Sequence, residues 1–331
     1  MILIKLLYGK NSIYPLEHIS KKGVISLDSD FIAKTAQIAS VLEVSGYPKP
    51  GNVHRTRDFT DMVFEDFLIS GVVIGDTMKK AAELGKIHGS NPREMAKIEL
   101  GKLIKEAVVE TDKWIKNNTN LGIVMLLTPI CAAAGMSTDV DEIPYNVDEI
   151  LRATTPYDAV NLYDAINIAE AGGMGVQKEL DVSNDNAKNE LIEKNINMYD
   201  VLDLSAQWDM LANEITRTMP ITFELGYPTF KEVKGDHGIN KATVQTFLTI
   251  LSIYPDTLIA RKYGVETAQE VSADASLIVK EGGVLTDKGM DMLMDFDNDL
   301  VEKNLNPGTT ADLTASSVMV ALLDEYKMNF N

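Results

Sequence analysis

The sequence predicts an all-α protein: one compact multi-helix domain over residues 28–331, preceded by a short N-terminal arm over residues 1–27. Three observations carry this. Apolar residues recur at helical spacing along most of the chain. Runs of alternating β-branched residues joined by hairpin turns are missing. Glycine and proline gather in short segments between the periodic stretches, and none has the composition of a disordered linker.

The elements follow in order. Met1–Tyr8 is apolar and could be extended. Phe31, Thr35, Ile38 and Leu42 fall on one helical face, with Asp28 or Ser29 available as cap. A loop, Tyr47–Thr60, comes next. Helices are expected near 61–87, 91–117 and 120–135, then near 156–171 and 184–217, with loops at Ile143–Asn146 and Gly172–Gly175. Ile221–Val233 could be a second extended stretch, overlapping a loop at Gly226–Gly238. Val244, Phe247, Leu248 and Leu251 mark a helix that Pro255 ends. Helices near 264–280 and 285–304 flank Gly282–Gly283. The turn Asn304–Gly308 leads into a terminal helix carrying Leu313, Val318, Leu322 and Tyr326.

Composition narrows the function. With 331 residues, 45% of them hydrophobic, the chain can bury a substantial core, and this apolar content allows a homodimer. Its net charge of −18 and pI of about 4.6 argue against broad binding to nucleic acid or anionic membrane. The single cysteine, Cys131, lies in the apolar run Ile123–Gly135 and reads as a buried thiol. No apolar run reaches the ~18 residues of a membrane span. Met1–Tyr8 lacks the small-residue cleavage site of a signal peptide, so a cytoplasmic protein is expected.

Against this acidic background, Lys49, His54, Arg55 and Arg57 crowd into one loop stiffened by Pro48 and Pro50, with Gly51 between them. Either the loop holds an anion or its charges are ordinary solvated ones. Further on, a helix starting near Thr60 would set Asp61 and Glu65 one turn apart, as a carboxylate pair for a hard cation or as first-turn acids favoured by the helix dipole. Asp256-Thr257 reads as a helix cap, with Arg261 one turn beyond Thr257. Asn306-Pro307-Gly308-Thr309-Thr310 is a turn feeding a helix start, an arrangement that suits an anion, with Asp312 in the first turn. Asn117–Gly122 is a polar run entering an apolar helix. Phosphate-loop, dinucleotide-binding and zinc-protease signatures are absent.

Taken in order, these segments resemble the triphosphoribosyl-dephospho-CoA synthase family. The matching motifs are Pro48-Lys49-Pro50-Gly51, Val53-His54-Arg55, Asp61-Met62 with Phe64, Phe67 and Ser70, Asn118-Thr119-Asn120-Leu121-Gly122, Asp256-Thr257 with Arg261, and Pro307-Gly308-Thr309-Thr310-Ala311-Asp312-Leu313. The resemblance spans roughly residues 28–325. It implies an all-helical, Mg²⁺-dependent transferase that moves the ribose 5-triphosphate of ATP onto a hydroxyl of dephospho-CoA, or of another cofactor precursor, and releases adenine. The residues it implies for nucleotide binding are Lys49, Gly51, Asn52, Arg55, Asn118, Asn120, Thr257, Arg261, Asn306 and Thr309. Those for catalysis are Asp61, His54 and Asp312, and those for metal are Asp61, Glu65, Asp256 and Asp312. The chain departs from the family where Asn120 and Leu121 replace His and Lys, where Phe59 stands in place of a His that many members carry shortly before Asp-Met, and where His54 replaces Asp. A one-carbon carrier pathway, such as that of methanopterin or methanofuran, is a further setting associated with the family. An N-glycosidic hydrolase and a non-catalytic nucleotide-binding protein are the alternatives.

Overall fold

A computed structural model describes residues 27–169 and 186–328. It is all-helical, with no β-strand among the described residues. Helix α1 (Ser29–Val44) buries Ile32, Ala33, Ala36 and Ala39. The segment expected as one helix near 61–87 is two, α2 (Phe64–Val73) and α3 (Gly75–His88), which meet at Ile74. The Gln37 amide donates to the Val72 carbonyl at 2.6 Å, taking up an acceptor at that junction. Helix α4 (Leu100–Asp112) follows a short 3₁₀ turn, and left-handed Glu99 separates the two.

Helix α5 (Leu121–Met136) is the centre of the domain. Every residue from Ile123 to Gly135 is buried, as the unbroken apolar run predicts. It packs against α3, against α6 (Ile143–Arg152) and against the terminal helix α15 (Gly308–Met328). Ile143–Asn146 is thus the start of a helix and not a loop, because Pro144 in the first turn needs no partner for a missing N–H. Helix α7 (Pro156–Ile168) leans on α4. The 184–217 stretch breaks into α8 (Ala187–Glu193), α9 (Met198–Ser205) and α10 (Met210–Thr216). Asn197 and Asp209 each cap a fresh helix start there, so local side-chain bonds interrupt the longer period. The N-terminal arm up to residue 26 and the Gly172–Gly175 loop lie outside the described residues.

Beyond α10 the chain is helical where an extended stretch was expected. Ile221–Gly226 is a π-helix that runs into α11 (Tyr227–Ile253), burying Phe230 and Val233 on one side. Only Gly238, at φ 78°, interrupts α11, so the expected Gly226–Gly238 loop shrinks to one residue. Helices α12 (Thr257–Tyr263), α13 (Val265–Lys280) and α14 (Asp287–Glu302) build a second hydrophobic cluster on α11 around Phe247, Leu251, Ile259 and Leu293. Helix α15 packs on α1, α5, α11 and α12, and so joins the two clusters. No helix among the described residues is long and apolar enough to cross a membrane.

The entry into the π-helix is strained. Thr218 and Met219 both hold left-handed backbone, at φ 60° and 55°. The buried Glu214 carboxylate accepts from the Ile221 amide at 2.9 Å and the Thr222 amide at 2.7 Å, satisfying donors that a helix start leaves open. Burial pushes the Glu214 carboxyl up to about 7, against the opposing pull of the Thr222 and Ile221 donors. A carboxyl raised in the folded state stabilises the fold fully below its unfolded value and loses that contribution as pH climbs through the folded one. The Glu214 contribution is therefore expected to fall between about pH 4.5 and 7. Denaturant unfolding across that range checks it: Glu214→Gln should remove this part of the slope and cost about 1–3 kcal/mol, since one helix-start amide then faces an NH₂ group.

Candidate active site

The basic loop does hold anions, but they are the protein's own. Lys49 is buried at 1% exposure, and its ammonium pairs with the Glu43 carboxylate on α1 and reaches the Glu43 carbonyl at 3.2 Å. Asp297, buried on α14, accepts from the Gly51 amide at 3.0 Å and faces His54 Nε2 at 3.3 Å and Arg57 Nε at 3.1 Å. His54 Nδ1 lies 3.4 Å from the Thr56 amide, which assigns the other nitrogen as the N–H that faces Asp297. His54 is thus buried and bonded on both sides, a fastener of the loop and not an exposed base. Arg55 is exposed and donates to the Ser45 carbonyl and to Asn240. Asn52 is buried, with its amide 3.4 Å from the Pro50 carbonyl.

From this loop a chain of contacts runs through the other segments. Gly51 has φ +70°, and a Cβ there would strike the Leu305 carbonyl, so the loop needs glycine to lie against the Asn304–Gly308 turn. Asp256 joins that turn to α12. Its Oδ1 accepts from the Leu258 and Ile259 amides at 2.8 and 3.1 Å, and its Oδ2 accepts from the Thr310 amide and hydroxyl, both at 2.8 Å. Thr257 and Thr309 bond at 3.2 Å across the same seam. Gly122, at the start of α5, lies directly beneath the Asp312 carboxylate; a Cβ there would occupy the carboxylate's own space.

Asp312 is the free group of this cluster. It keeps partial exposure and makes no hydrogen bond to any described residue. Dense packing on its protein side, followed by the charges of Glu43 and Asp256, holds its carboxyl well above the usual range, with Arg261 opposing. Arg261 contacts Asp209, and its Nε has no partner. Asn306 Oδ1 is likewise buried without one.

Other expected residues sit differently. Asp61 precedes α2 instead of lying within it, so Asp61 and Glu65 do not share a helical face. The Asn117 side chain tethers the Asp61 carbonyl at 2.5 Å. Asn118 caps α5 through the Leu121 amide, and Asn120 turns inward to Thr111 Oγ1 and the Ser70 carbonyl. Leu121 is buried in the core. Asp256 is buried with four donors on its two oxygens, which leaves it occupied by the fold. Among the described residues, no group of three or more His, Cys, Asp or Glu side chains forms a ready metal cage. A separate groove of about 610 Å³ between α3 and α4 contains Lys102, Lys105 and Lys113, and none of the singled-out residues lines it.

Sequence reasoning missed Glu43, Asp297 and Asp209. The first two carried a signal. Glu43 continues the α1 stripe of Ile32, Ala36 and Ala39, and Asp297 lies between Leu293 and Leu300 on the buried stripe of α14. A charge on an apolar stripe needs a buried partner. Asp209 offered only a cap residue.

The profile of the ATP:dephospho-CoA triphosphoribosyl transferase family matches residues 29–330. The chain belongs to the ATP:dephospho-CoA triphosphoribosyl transferase family. Membership makes it a transferase; of the segments quoted above for the resemblance, those at Gly122, at Asp256 and Arg261, and at Pro307–Leu313 come together at Asp312. A Malonomonas rubra protein named "Probable 2-(5''-triphosphoribosyl)-3'-dephosphocoenzyme-A synthase" is 24% identical over 304 residues, covering 89% of this chain and 88% of that protein. A crystal structure of an Archaeoglobus fulgidus protein, assigned the triphosphoribosyl-dephospho-CoA synthase name, superposes with a TM-score of 0.61 at 22% identity. It covers 78% of this chain and 98% of its own, and it supports the fold.

The Asp297 contacts generate a prediction for the transferase. Asp297→Ala leaves the Gly51 amide, the His54 ring N–H and the Arg57 guanidinium without their shared acceptor and should cost about 3 kcal/mol in denaturant unfolding. Limited proteolysis should then cut within residues 48–57, where the wild-type loop resists.

Proposed function

We propose that this chain transfers the 5-triphosphoribosyl group of ATP to the ribose 2′-hydroxyl of 3′-dephospho-CoA, releasing adenine. Family membership supports the reaction class. The observation that carries the site is Asp312, a carboxylate with no hydrogen-bond partner, reached by the starts of α5, α12 and α15. The bond between ribose C1′ and adenine N9 breaks, and a bond from C1′ to the acceptor oxygen forms. Asp312 takes the acceptor's proton, and its raised proton affinity makes it the better base. Its negative charge also opposes the positive charge that builds on the ribose as adenine departs. Adenine leaves as the neutral base after gaining a proton from solvent, and Asp312 returns the acceptor's proton to solvent, so no net proton is consumed.

Arg261 and the Thr257–Thr309 pair at the helix starts supply donors for the triphosphate. Lys49 supports them from behind, by neutralising Glu43 beside the site. The donor set suits a Mg²⁺ ion that arrives on phosphates, which takes few protein ligands. Asp61 and Glu65 are exposed carboxylates without a partner among the described residues, and since they do not share a helical face, either one singly would hold the ion. Bound there, Mg²⁺ would supply charge neutralisation to the triphosphate.

The test is chromatography of adenine from protein, ATP, Mg²⁺ and 3′-dephospho-CoA. Adenine should appear only with all four present, and chelation should stop it. Asp312→Asn should lower turnover about a hundred- to ten-thousand-fold while leaving the KM for ATP nearly unchanged. Adenine without acceptor would make the protein a hydrolase. Adenine with a pterin or furan carrier precursor, and none with dephospho-CoA, would move the acceptor to one-carbon chemistry.

A further inference from the structure

Arg261 stands in the last turn of α12 with its side chain about three-quarters enclosed, at 23% exposure. One terminal nitrogen contacts Asp209, and Nε has no acceptor. A guanidinium is a planar fork of five donors on a long flexible stem. Its usefulness to a phosphate depends on which way the fork faces, and fixing one nitrogen fixes the plane of the rest.

Asp209 is built to do that. Its Oδ1 caps α10 by accepting from the Ala212 amide at 3.0 Å, which leaves Oδ2 for Arg261. The next residue is tied as well, since the Met210 amide lies 3.3 Å from Thr257 Oγ1, which in turn meets Thr309. The carboxylate is therefore held from its own helix start and from the seam between α12 and α15, and its side chain is only 18% exposed. A residue needed only as a helix cap would have no reason to place its second oxygen on a partly enclosed guanidinium.

We propose that Asp209 is a positioning residue, which holds the Arg261 guanidinium so that its other terminal nitrogen faces the triphosphate of the nucleotide. This rests on the function proposed above. Because Asn caps helices as well as Asp, Asp209→Asn keeps the α10 start and removes only the charged tether.

The experiment is calorimetric titration of wild type, Asp209→Asn, Arg261→Gln and the double variant with inorganic tripolyphosphate in the presence of Mg²⁺. A parallel measurement follows the Arg261 Nε–H signal by NMR, assigned from its loss in Arg261→Gln. Asp209→Asn should weaken tripolyphosphate binding about tenfold. The double variant should bind no more weakly than Arg261→Gln alone, and thermal midpoints should stay within a few degrees. The Nε–H signal should be protected from exchange in the wild type and averaged in Asp209→Asn. Wild-type affinity in Asp209→Asn, or a loss that adds in full to that of Arg261→Gln, overturns the proposal. A wild type that binds no tripolyphosphate sinks the proposed function instead. In that case the Nε–H signal still decides whether Asp209 holds the side chain, and an unchanged signal refutes it.

Discussion

The site depends on one buried carboxylate that does no chemistry. Asp256 sits where α12 begins and reaches across to the start of α15, and both of its oxygens are filled by helix-start donors. A carboxylate enclosed in protein is costly unless such donors surround it. Two helix N-termini are the backbone's best environment for a negative charge. Burial still raises the Asp256 carboxyl, so its donors offset desolvation only in part. What the arrangement secures is adjacency: Thr257 and Arg261 on one helix come to lie beside Thr309 and Asp312 on the other. With Asp256 acting as the clasp, Asp312 is left as the free acid.

The basic loop follows the same logic with the signs reversed. Its cations neutralise Glu43 and Asp297, which protrude from the buried stripes of α1 and α14. The ion pairs fix the loop against the helices, and Gly51 lets the backbone settle on Leu305. Enclosed pairs of this kind are weak sources of net stability, but losing either partner is expensive, so they define one arrangement of the loop.

The all-α class, the central buried helix and the order of the motif segments were legible because they depend on periodicity and local chemistry. Residues 121–136 illustrate this: an apolar run with no polar face can only be a buried helix. Boundaries set by tertiary contacts were not legible. The split at Ile74 involves a bond from Gln37, some 35 positions away, and the π-helix at Ile221 leans on Glu214. Asp312, Thr257, Thr309 and Arg261 were singled out from sequence and lie along one seam of the fold, whereas the inward turn of Lys49, His54 and Asn120 was not legible. Spacing reports which residue types gather, not which way each side chain faces. That direction was set by Glu43, Asp297 and Thr111, which come from other elements.

The internal pairing of the loop bears on how a substrate arrives. The protein carries a net charge of −18, and two of the cations that could have drawn anions inward, Lys49 and Arg57, face carboxylates of the chain itself, as does the His54 ring N–H. Both ATP and dephospho-CoA are anions, so their long-range encounter with this surface is repulsive. Recognition then belongs to short-range donors at the helix starts, and dissolved salt, by shortening the reach of the surrounding field, speeds capture where in most phosphate-binding proteins it slows it.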